Sequence, residues 1–352
     1  MSWWDDVDDD ADQDEPYGQY DESSVRVRPN PKGNRPRTKV RPTYQDAPTG
    51  WVTNVDRGRF GVLVGDQLIT ATKARELGKK SVVTGDTVFL AGDVSGAEGS
   101  LARIVRVQER TTLLRRSADD SDDVERVIVA NATQMLVVVA AADPEPRTRL
   151  IDRYLVAAFD AGLDPVLCIT KTDLADPTDF LAHFACLDLR IVTSRSDSFP
   201  LDALHEVLDG QVTVTVGHSG VGKSTLVNAL TGSTRAVGVV NSVTGRGRHT
   251  SSSSIALQVT GGGWIIDTPG VRSFGLGHVD PANVFRAFAS HAIPVPSSVS
   301  GIPDTGIPLD QAHDWEIVDR VQAGELGATG IERLDSFRAL LTGMGAHDPG
   351  TE

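Results

Sequence analysis

A glycine-rich run past the middle of the chain has the residue types and spacing that bind phosphate groups. Residues 217–224 read G-H-S-G-V-G-K-S and match the pattern G-x-x-x-x-G-K-S. An apolar run at 212–216 precedes this segment and a helical pattern at 225–230 follows it, which is the strand-to-helix junction that the pattern requires. Glycines here allow backbone N–H groups and the positive end of the helix dipole to face an anion. The segment therefore predicts a loop that binds the phosphates of a nucleotide.

This predicted phosphate loop supplies most of the expected nucleotide contacts. Lys223 would reach the β- and γ-phosphates, and the Ser224 hydroxyl would ligate Mg²⁺. The loop residues predicted to contact the nucleotide are Gly217, Ser219, Gly220, Val221, Gly222, Lys223, Ser224 and Thr225.

Two further segments have the composition of nucleotide-sensing switches. An apolar strand at 264–266 runs into D-T-P-G at 267–270, in which Asp267 would hold Mg²⁺ and the Gly270 N–H would sense the γ-phosphate. Residues 245–252, G-R-G-R-H-T-S-S, occupy the place of a first switch loop. Thr250 is predicted to close on Mg²⁺ and the γ-phosphate, with Ser251 as the alternative.

A base-binding element is also present, and it precedes the phosphate loop. Residues 170–173, T-K-T-D, follow an apolar run and are similar to the guanine-binding motif N-K-x-D. The Asp173 carboxylate would accept hydrogen bonds from guanine N1–H and N2–H₂, a donor pair that adenine lacks. Ser194 ends the next predicted strand, where a second base contact is expected. The predicted base contacts are thus Thr170, Lys171, Asp173 and Ser194.

The elements that position these residues belong to two classes. Fully apolar runs at 135–140, 166–170, 189–193, 212–216 and 264–266 are separated mostly by helical segments, such as 147–161, which predicts a parallel α/β sheet covered on both faces. Five shorter runs between 51 and 107 are separated by Gly, Asp and Asn turns and predict an OB-type barrel, with an SH3-like barrel as the alternative. Basic residues available there for RNA phosphates are Arg57, Arg59, Lys73, Arg75, Lys79 and Lys80.

Charge is distributed unevenly along the 352 residues, whose net charge is -14. Residues 1–22 carry ten carboxylates without Lys or Arg, and residues 26–41 carry seven basic residues without an acid, so a disordered tail is predicted over 1–45. The tail is either a solubilising leader or an RNA-contacting arm.

Cys168 and Cys186 lack metal-ligand spacing and are expected to be buried thiols. We find no signal peptide or apolar membrane span in the sequence, so a cytoplasmic protein is expected.

The order of the motifs, base first and switches last, resembles that of the circularly permuted GTPases. With the barrel in front, G-x-S-G-V-G-K-S-T-L in the loop and G-R-H-T in the switch, residues 46–345 resemble the ribosome small-subunit-dependent GTPase family. The resemblance implies an OB-fold at 46–116, a permuted GTPase domain at 125–275 and a helical C-terminal domain at 276–345. It also implies a GTP- and GDP-binding monomer that binds the small ribosomal subunit and its rRNA, not membranes, and is stimulated by that subunit during late maturation.

Three departures from the family pattern bear on function. Thr170 replaces the usual Asn, which braces the phosphate loop and the base, so weaker guanine affinity is expected. The family's C-terminal zinc site uses three Cys and one His, but the sequence has no Cys after Cys186, so zinc is not expected and His291 and His313 are interpreted as surface residues. Val271 stands where Ras-like enzymes have a water-orienting Gln, and the resemblance suggests His249 for that task. The rival interpretations are an ATP-using P-loop enzyme and a nucleotide-gated RNA-binding module whose hydrolysis is dispensable.

Overall fold

The computed structural model describes residues 44, 46–78, 82–117, 125–184, 187, 189–232, 254–268, 323–324 and 331. The tail predicted at 1–45 and the C-terminal domain predicted at 276–345 therefore lie outside the described residues, apart from isolated positions. Within the described helices, none is long and apolar enough to cross a membrane.

The first folded unit along the chain is a closed five-stranded barrel. Its strands are β1 (Thr49–Asp56), β2 (Arg59–Val64), β3 (Gln67–Lys73), β4 (Thr87–Gly92) and β5 (Ala102–Val107). The order is β1-β2-β3-β5-β4, and β4 pairs back to β1, so the sheet closes on itself. Alternate side chains such as Val52, Val62 and Ile104 fill the interior and are fully buried. The predicted OB-type barrel is confirmed.

A hairpin that the sequence did not predict follows the barrel. Strands β6 (Leu113–Ser117) and β7 (Glu125–Ala130) pair antiparallel as a separate two-stranded sheet. They flank residues 118–124, which lie outside the described residues. Each strand is short and one carries two adjacent arginines, so neither stands out as an apolar run.

The nucleotide-domain sheet is parallel, in the order β10-β9-β8-β11-β13, and ends on the antiparallel strand β12. Its strands are β8 (Gln134–Ala140), β9 (Asp164–Thr170), β10 (Arg190–Thr193), β11 (Val212–Gly217), β12 (Ile255–Gln258) and β13 (Trp264–Asp267). The strands that carry the base motifs, β9 and β10, precede β11 in the chain yet lie in the same sheet. The predicted circular permutation is confirmed.

Helices cover both faces of this sheet. They are α1 (Thr148–Asp160), α2 (Thr178–Ala182), α3 (Leu201–Leu208) and α4 (Lys223–Thr231). Successive residues of β8 enter opposite cores: Val137 packs in the cluster that contains α1, and Val138 packs in the cluster that contains α3 and α4. Every residue of β8 is buried for this reason, which explains why all of them except Gln134 are apolar.

The barrel and the parallel sheet meet at β12. Strand β1 pairs antiparallel with β12 at Asn54 and Ile255, so eleven strands form one continuous hydrogen-bonded sheet. The rings of Trp51 and Trp264 pack edge to face beside this junction, with 4.8 Å between their centroids. The barrel is thus attached to the strand pair that ends at Asp267.

Candidate functional site

The phosphate loop leaves β11 and turns sharply into α4, and glycine is required at both ends of the turn. A Cβ on Gly217 would lie 2.5 Å from the carbonyl oxygen of Val138, so a side chain has no room there. Gly222 has a φ of 91° and is the N-cap of α4, a left-handed conformation that favours glycine. These two positions bend the backbone around a concave turn.

The first turn of α4 presents donors toward this turn. Among the described residues, no side chain caps the helix, so the backbone N–H groups at its start are available to an anion. Ser219 and Gly220 in the loop and Ser224 and Thr225 on the helix are exposed. The arrangement can bind phosphate groups through the backbone and still offer the Ser224 hydroxyl to solvent or a cation.

Lys223 and Asp267, which are 44 positions apart, form an ion pair at the carboxyl ends of adjacent strands. The Lys223 Nζ lies 2.6 Å from Asp267 Oδ1 and also donates to the Thr268 carbonyl at 3.2 Å. Both side chains are partly buried, with 15% of the Lys223 side chain and 24% of the Asp267 side chain exposed. The sequence predicted both residues as functional, and the fold brings them into direct contact.

Two threonines that sequence reasoning missed secure this ion pair. Thr268 donates its hydroxyl proton to the Thr215 carbonyl at 2.7 Å, and the Thr215 hydroxyl lies 3.3 Å from the Ile266 carbonyl. Both threonines are buried. They join β11 to the end of β13. Thr268 belongs to the D-T-P-G segment, but the sequence does not indicate its contact with Thr215, because that contact is made only when the two strands pair.

Thr170 connects the base motif to the phosphate loop. Its buried hydroxyl donates to the Val221 carbonyl at 2.6 Å and lies 3.2 Å from the Val139 carbonyl. The expectation that Thr170 gives up the brace supplied by an Asn is wrong for the phosphate loop, because the hydroxyl reaches the loop backbone directly.

Asp173 lies at the exposed end of the base motif. Its Oδ1 accepts a hydrogen bond from the Ser196 N–H at 2.6 Å. This hydrogen bond lowers the pKa of the Asp173 carboxyl below its ordinary value, with a smaller contribution from the nearby Arg195 charge. The carboxylate is therefore ionised and oriented, and acceptor capacity remains for a ligand. Ser196 was not predicted, because the contact links two different loops.

The neighbouring predicted base contacts also come together. The Ser194 N–H donates to the Ile169 carbonyl at 2.7 Å, and the Ser194 carbonyl accepts from the Thr172 N–H at 3.1 Å, so the ends of β9 and β10 are joined. Lys171 has a φ of 58°, and its ammonium donates to the Asp143 carbonyl in the loop after β8. Asp143 is a further residue that sequence reasoning missed.

An apolar pocket lies beside the phosphate loop, on the α1 side. Val139, Tyr154, His218 and Val221 are among its lining residues. Burial raises the pKa of Tyr154 to about 12, so its phenol stays neutral over a wider pH range than that of an exposed tyrosine. Most of the lining is apolar, and Glu145, Arg147 and His218 are its charged or titratable members.

Several residues on which predictions were made lie outside the described part of the chain: Lys79, Lys80, Cys186, His249, Thr250, Ser251, Gly270, Val271, His291 and His313. Within the described part, no group of three or more His, Cys, Asp or Glu side chains is placed to hold a metal ion. Cys168 is a free, buried thiol, as predicted, and burial raises its pKa to about 12.

Comparisons with known proteins agree with this geometry. The family model described as RsgA GTPase matches residues 107–277. The small ribosomal subunit biogenesis GTPase RsgA of Chlorobaculum tepidum is 32% identical over 315 residues, which cover 84% of this chain and 98% of that relative. The protein of the same name from Pseudomonas syringae pv. tomato is 40% identical over 273 residues, which cover 75% of each chain.

Solved structures support the same fold. YjeQ from Thermotoga maritima matches with a TM-score of 0.62 and 22% identity, over 86% of this chain and 99% of that one. YloQ, described as a circularly permuted GTPase, matches with a TM-score of 0.62 and 21% identity, over 88% and 99%. With its barrel, its permuted strand order and relatives that align over most of its length, this chain belongs to the RsgA GTPase family.

Proposed function

We propose that this protein hydrolyses GTP to GDP and phosphate during late maturation of the small ribosomal subunit. The observation that carries the proposal is the hydrogen bond from Thr170 to Val221, because it joins a base-binding motif to a phosphate-binding loop in one site. Asp173 selects guanine at one end, and Lys223 neutralises the β- and γ-phosphates at the other. The named function of the relatives supports the ribosomal step.

The residues at the phosphate end also fit Mg²⁺. Asp267 is a partly exposed carboxylate and Ser224 an exposed hydroxyl, and hard oxygen donors of this kind are what Mg²⁺ prefers. We propose Thr250 as the third protein ligand. Bound Mg²⁺ would neutralise charge on the phosphates. Lys223 exchanges its bond to Asp267 for the phosphates when nucleotide enters, which frees the carboxylate.

Hydrolysis requires a water molecule in line with the γ-phosphate. We propose that His249 orients this water through a ring nitrogen, since the position after D-T-P-G is Val271 and offers no polar group. The N–H of Gly270 senses the γ-phosphate. A catalytic group on a switch segment predicts slow turnover until a partner binds.

The partner side of the proposal concerns the barrel and the C-terminal region. Arg57, Arg59 and Arg75 are exposed on the barrel and are available to rRNA phosphates. Residues 46–116 would contact the small subunit, and the domain at 276–345, without zinc, would follow the second switch. The protein would act in the cytoplasm as a monomer and dissociate from the subunit after hydrolysis.

The test is GTP turnover by the full chain with and without purified small ribosomal subunits. We expect strong stimulation by small subunits and none by large subunits, which serve as the control. Equal turnover in all conditions would contradict the ribosomal role. ATP displacing labelled GDP as well as GTP does would favour an ATP-using enzyme, and a His249→Ala variant that stops turnover but supports subunit maturation would favour the RNA-binding module.

A further inference from the structure

The hydroxyl of Thr84 is a buried hydrogen-bond donor that joins the barrel to the nucleotide domain. Thr84 is fully buried, and its Oγ1 donates to the Ser254 carbonyl at 3.0 Å across 170 positions of sequence. Ser254 directly precedes β12 and follows residues 245–252, where the sequence predicts the first switch. Thr84 therefore holds the point at which the chain enters the strand pair β12–β13.

The barrel segment that carries Thr84 is itself fixed on several sides. We refer to residues 82–86 as the junction loop. The carboxylate of Asp86, fully buried, accepts two hydrogen bonds from Arg110, at 2.7 and 2.8 Å, and a third from the Val83 N–H at 2.8 Å. Such a charge-assisted pair with both carboxylate oxygens engaged orients the loop strongly.

The junction loop also lies directly against the nucleotide domain. Gly85 has a φ of 92°, and a Cβ there would lie 1.9 Å from the Ala130 carbonyl oxygen, so only glycine allows this approach. The Ala130 N–H donates to the Thr84 carbonyl at 3.0 Å, and the Asn131 amide donates to the Gly85 carbonyl at 2.9 Å. Thr84 is held too closely to adjust independently of its neighbours.

Few contacts separate Ser254 from the phosphate end of the site. Ile255, the next residue, pairs with Asp267 across β12 and β13 and with Asn54 of the barrel strand β1. Asp267 in turn holds Lys223 at 2.6 Å. Consecutive hydrogen-bonded elements thus connect the junction loop to the ion pair that nucleotide must rearrange.

We infer that Thr84 is a positioning residue through which the barrel controls the phosphate end of the site. A partner that shifts the junction loop displaces Ser254 and β12, and with them the carboxylate of Asp267. Coupling between two binding sites is reciprocal, so nucleotide binding also restrains the junction loop. The inference rests on the proposed function in taking the barrel's partner to be the small ribosomal subunit.

The first test compares three full-length variants in GTP turnover with and without small subunits. Thr84→Val keeps the side-chain shape but removes the donor, and the ratio of stimulated to basal turnover should fall about two- to tenfold, the effect of one hydrogen bond, with basal turnover unchanged. Thr84→Ser should retain the ratio. Ser254→Ala removes a different contact, from its Oγ to the Ile128 carbonyl at 3.3 Å outside the barrel, and should also retain it. A wild-type ratio in Thr84→Val would overturn the inference.

The second test does not require ribosomes. GDP binding should slow amide hydrogen exchange in the junction loop of the wild type and of Thr84→Ser, but not of Thr84→Val. The same slowing in Thr84→Val, or none in the wild type, contradicts the coupling. If the wild type is not stimulated by small subunits, the ribosomal proposal fails, while the exchange measurement still decides the role of Thr84.

Discussion

At the phosphate end of the site the carboxylate of Asp267 is bound by a lysine, whereas at the base end the carboxylate of Asp173 is bound by a backbone amide. The first contact is an ion pair between partly buried side chains, and the proposed function requires its exchange when phosphates or a cation bind. The second orients an exposed carboxylate and leaves acceptor capacity for a ligand. The proposed site is therefore preorganised at the base end, and we expect the phosphate end to rearrange on binding. Thr170 is the connection between them.

Replacement of Lys223 should have the largest effect, because it removes the only cationic side chain that the described residues place on the phosphate loop. We expect Lys223→Met to weaken GTP and GDP binding at least about 30-fold, with the remaining guanine preference intact. Fluorescent-nucleotide titration measures both quantities. Thermal unfolding of the nucleotide-free variant serves as the control for misfolding, and affinity within about threefold of wild type would contradict the assigned role.

The Asp173→Asn variant tests the base end of the site, because it replaces a carboxylate oxygen that accepts hydrogen bonds with an amide NH₂ group that donates them. GDP affinity should fall about 10- to 100-fold, the effect of losing hydrogen bonds to a charged group, and XDP affinity should rise, because xanthine carries an oxygen where guanine carries N2–H₂. Asp176→Asn is the matched control, since Asp176 is an exposed carboxylate that binds Thr178 instead. A variant that still prefers GDP over XDP would show that Asp173 does not select the base.

Replacement of Thr170, which connects the base end to the phosphate end, should have a smaller effect on nucleotide binding. Thr170→Val leaves the Val221 carbonyl without its hydroxyl donor and should weaken GDP binding about fivefold, mainly through faster dissociation. Thr170→Ser keeps the donor and should behave like the wild type. Stopped-flow release of labelled GDP distinguishes the two, and equal rates for Val and Ser would show that the hydrogen bond does not support binding.

A change of pH should have the smallest effect on guanine selectivity. The pKa of Asp173 is lowered from 3.8, so its charge is lost only as the pH falls through a folded-state value below 3.8. The ratio of GDP to ADP affinity should therefore stay constant between about pH 5 and pH 7, because Asp173 is ionised throughout that window. Use of the ratio cancels titration of the phosphates. A ratio that falls toward pH 5 would indicate a raised pKa instead.

The sequence predicts those parts of the site in which one short segment supplies all the functional groups. Spacing alone predicted Lys223 and Asp267, because glycines, a lysine and a carboxylate must stand next to strand ends, and the fold brings the two side chains to 2.6 Å from each other. The buried strand β8 was predictable for a related reason: both of its faces are covered, so all of its residues except Gln134 are apolar.

What sequence could not predict depends on contacts between distant segments. The Thr170 hydroxyl reaches Val221 across 51 positions, and Ser196 reaches Asp173 across 23, and neither residue type requires that partner. Strand β12 has only four residues, and pairing on both sides, not a long apolar run, makes it a strand. Propensity and periodicity contain no information about such pairing.

The pairing of β1 with β12 also determines whether the nucleotide domain can be isolated. Strand β12 terminates the parallel sheet, and the barrel strand β1 pairs with its outer side at Ile255. A truncated protein that began after the barrel would present the unpaired backbone amides of an open sheet edge, together with the uncovered indole of Trp264. Such an edge recruits other strands, so we expect the truncated protein to self-associate.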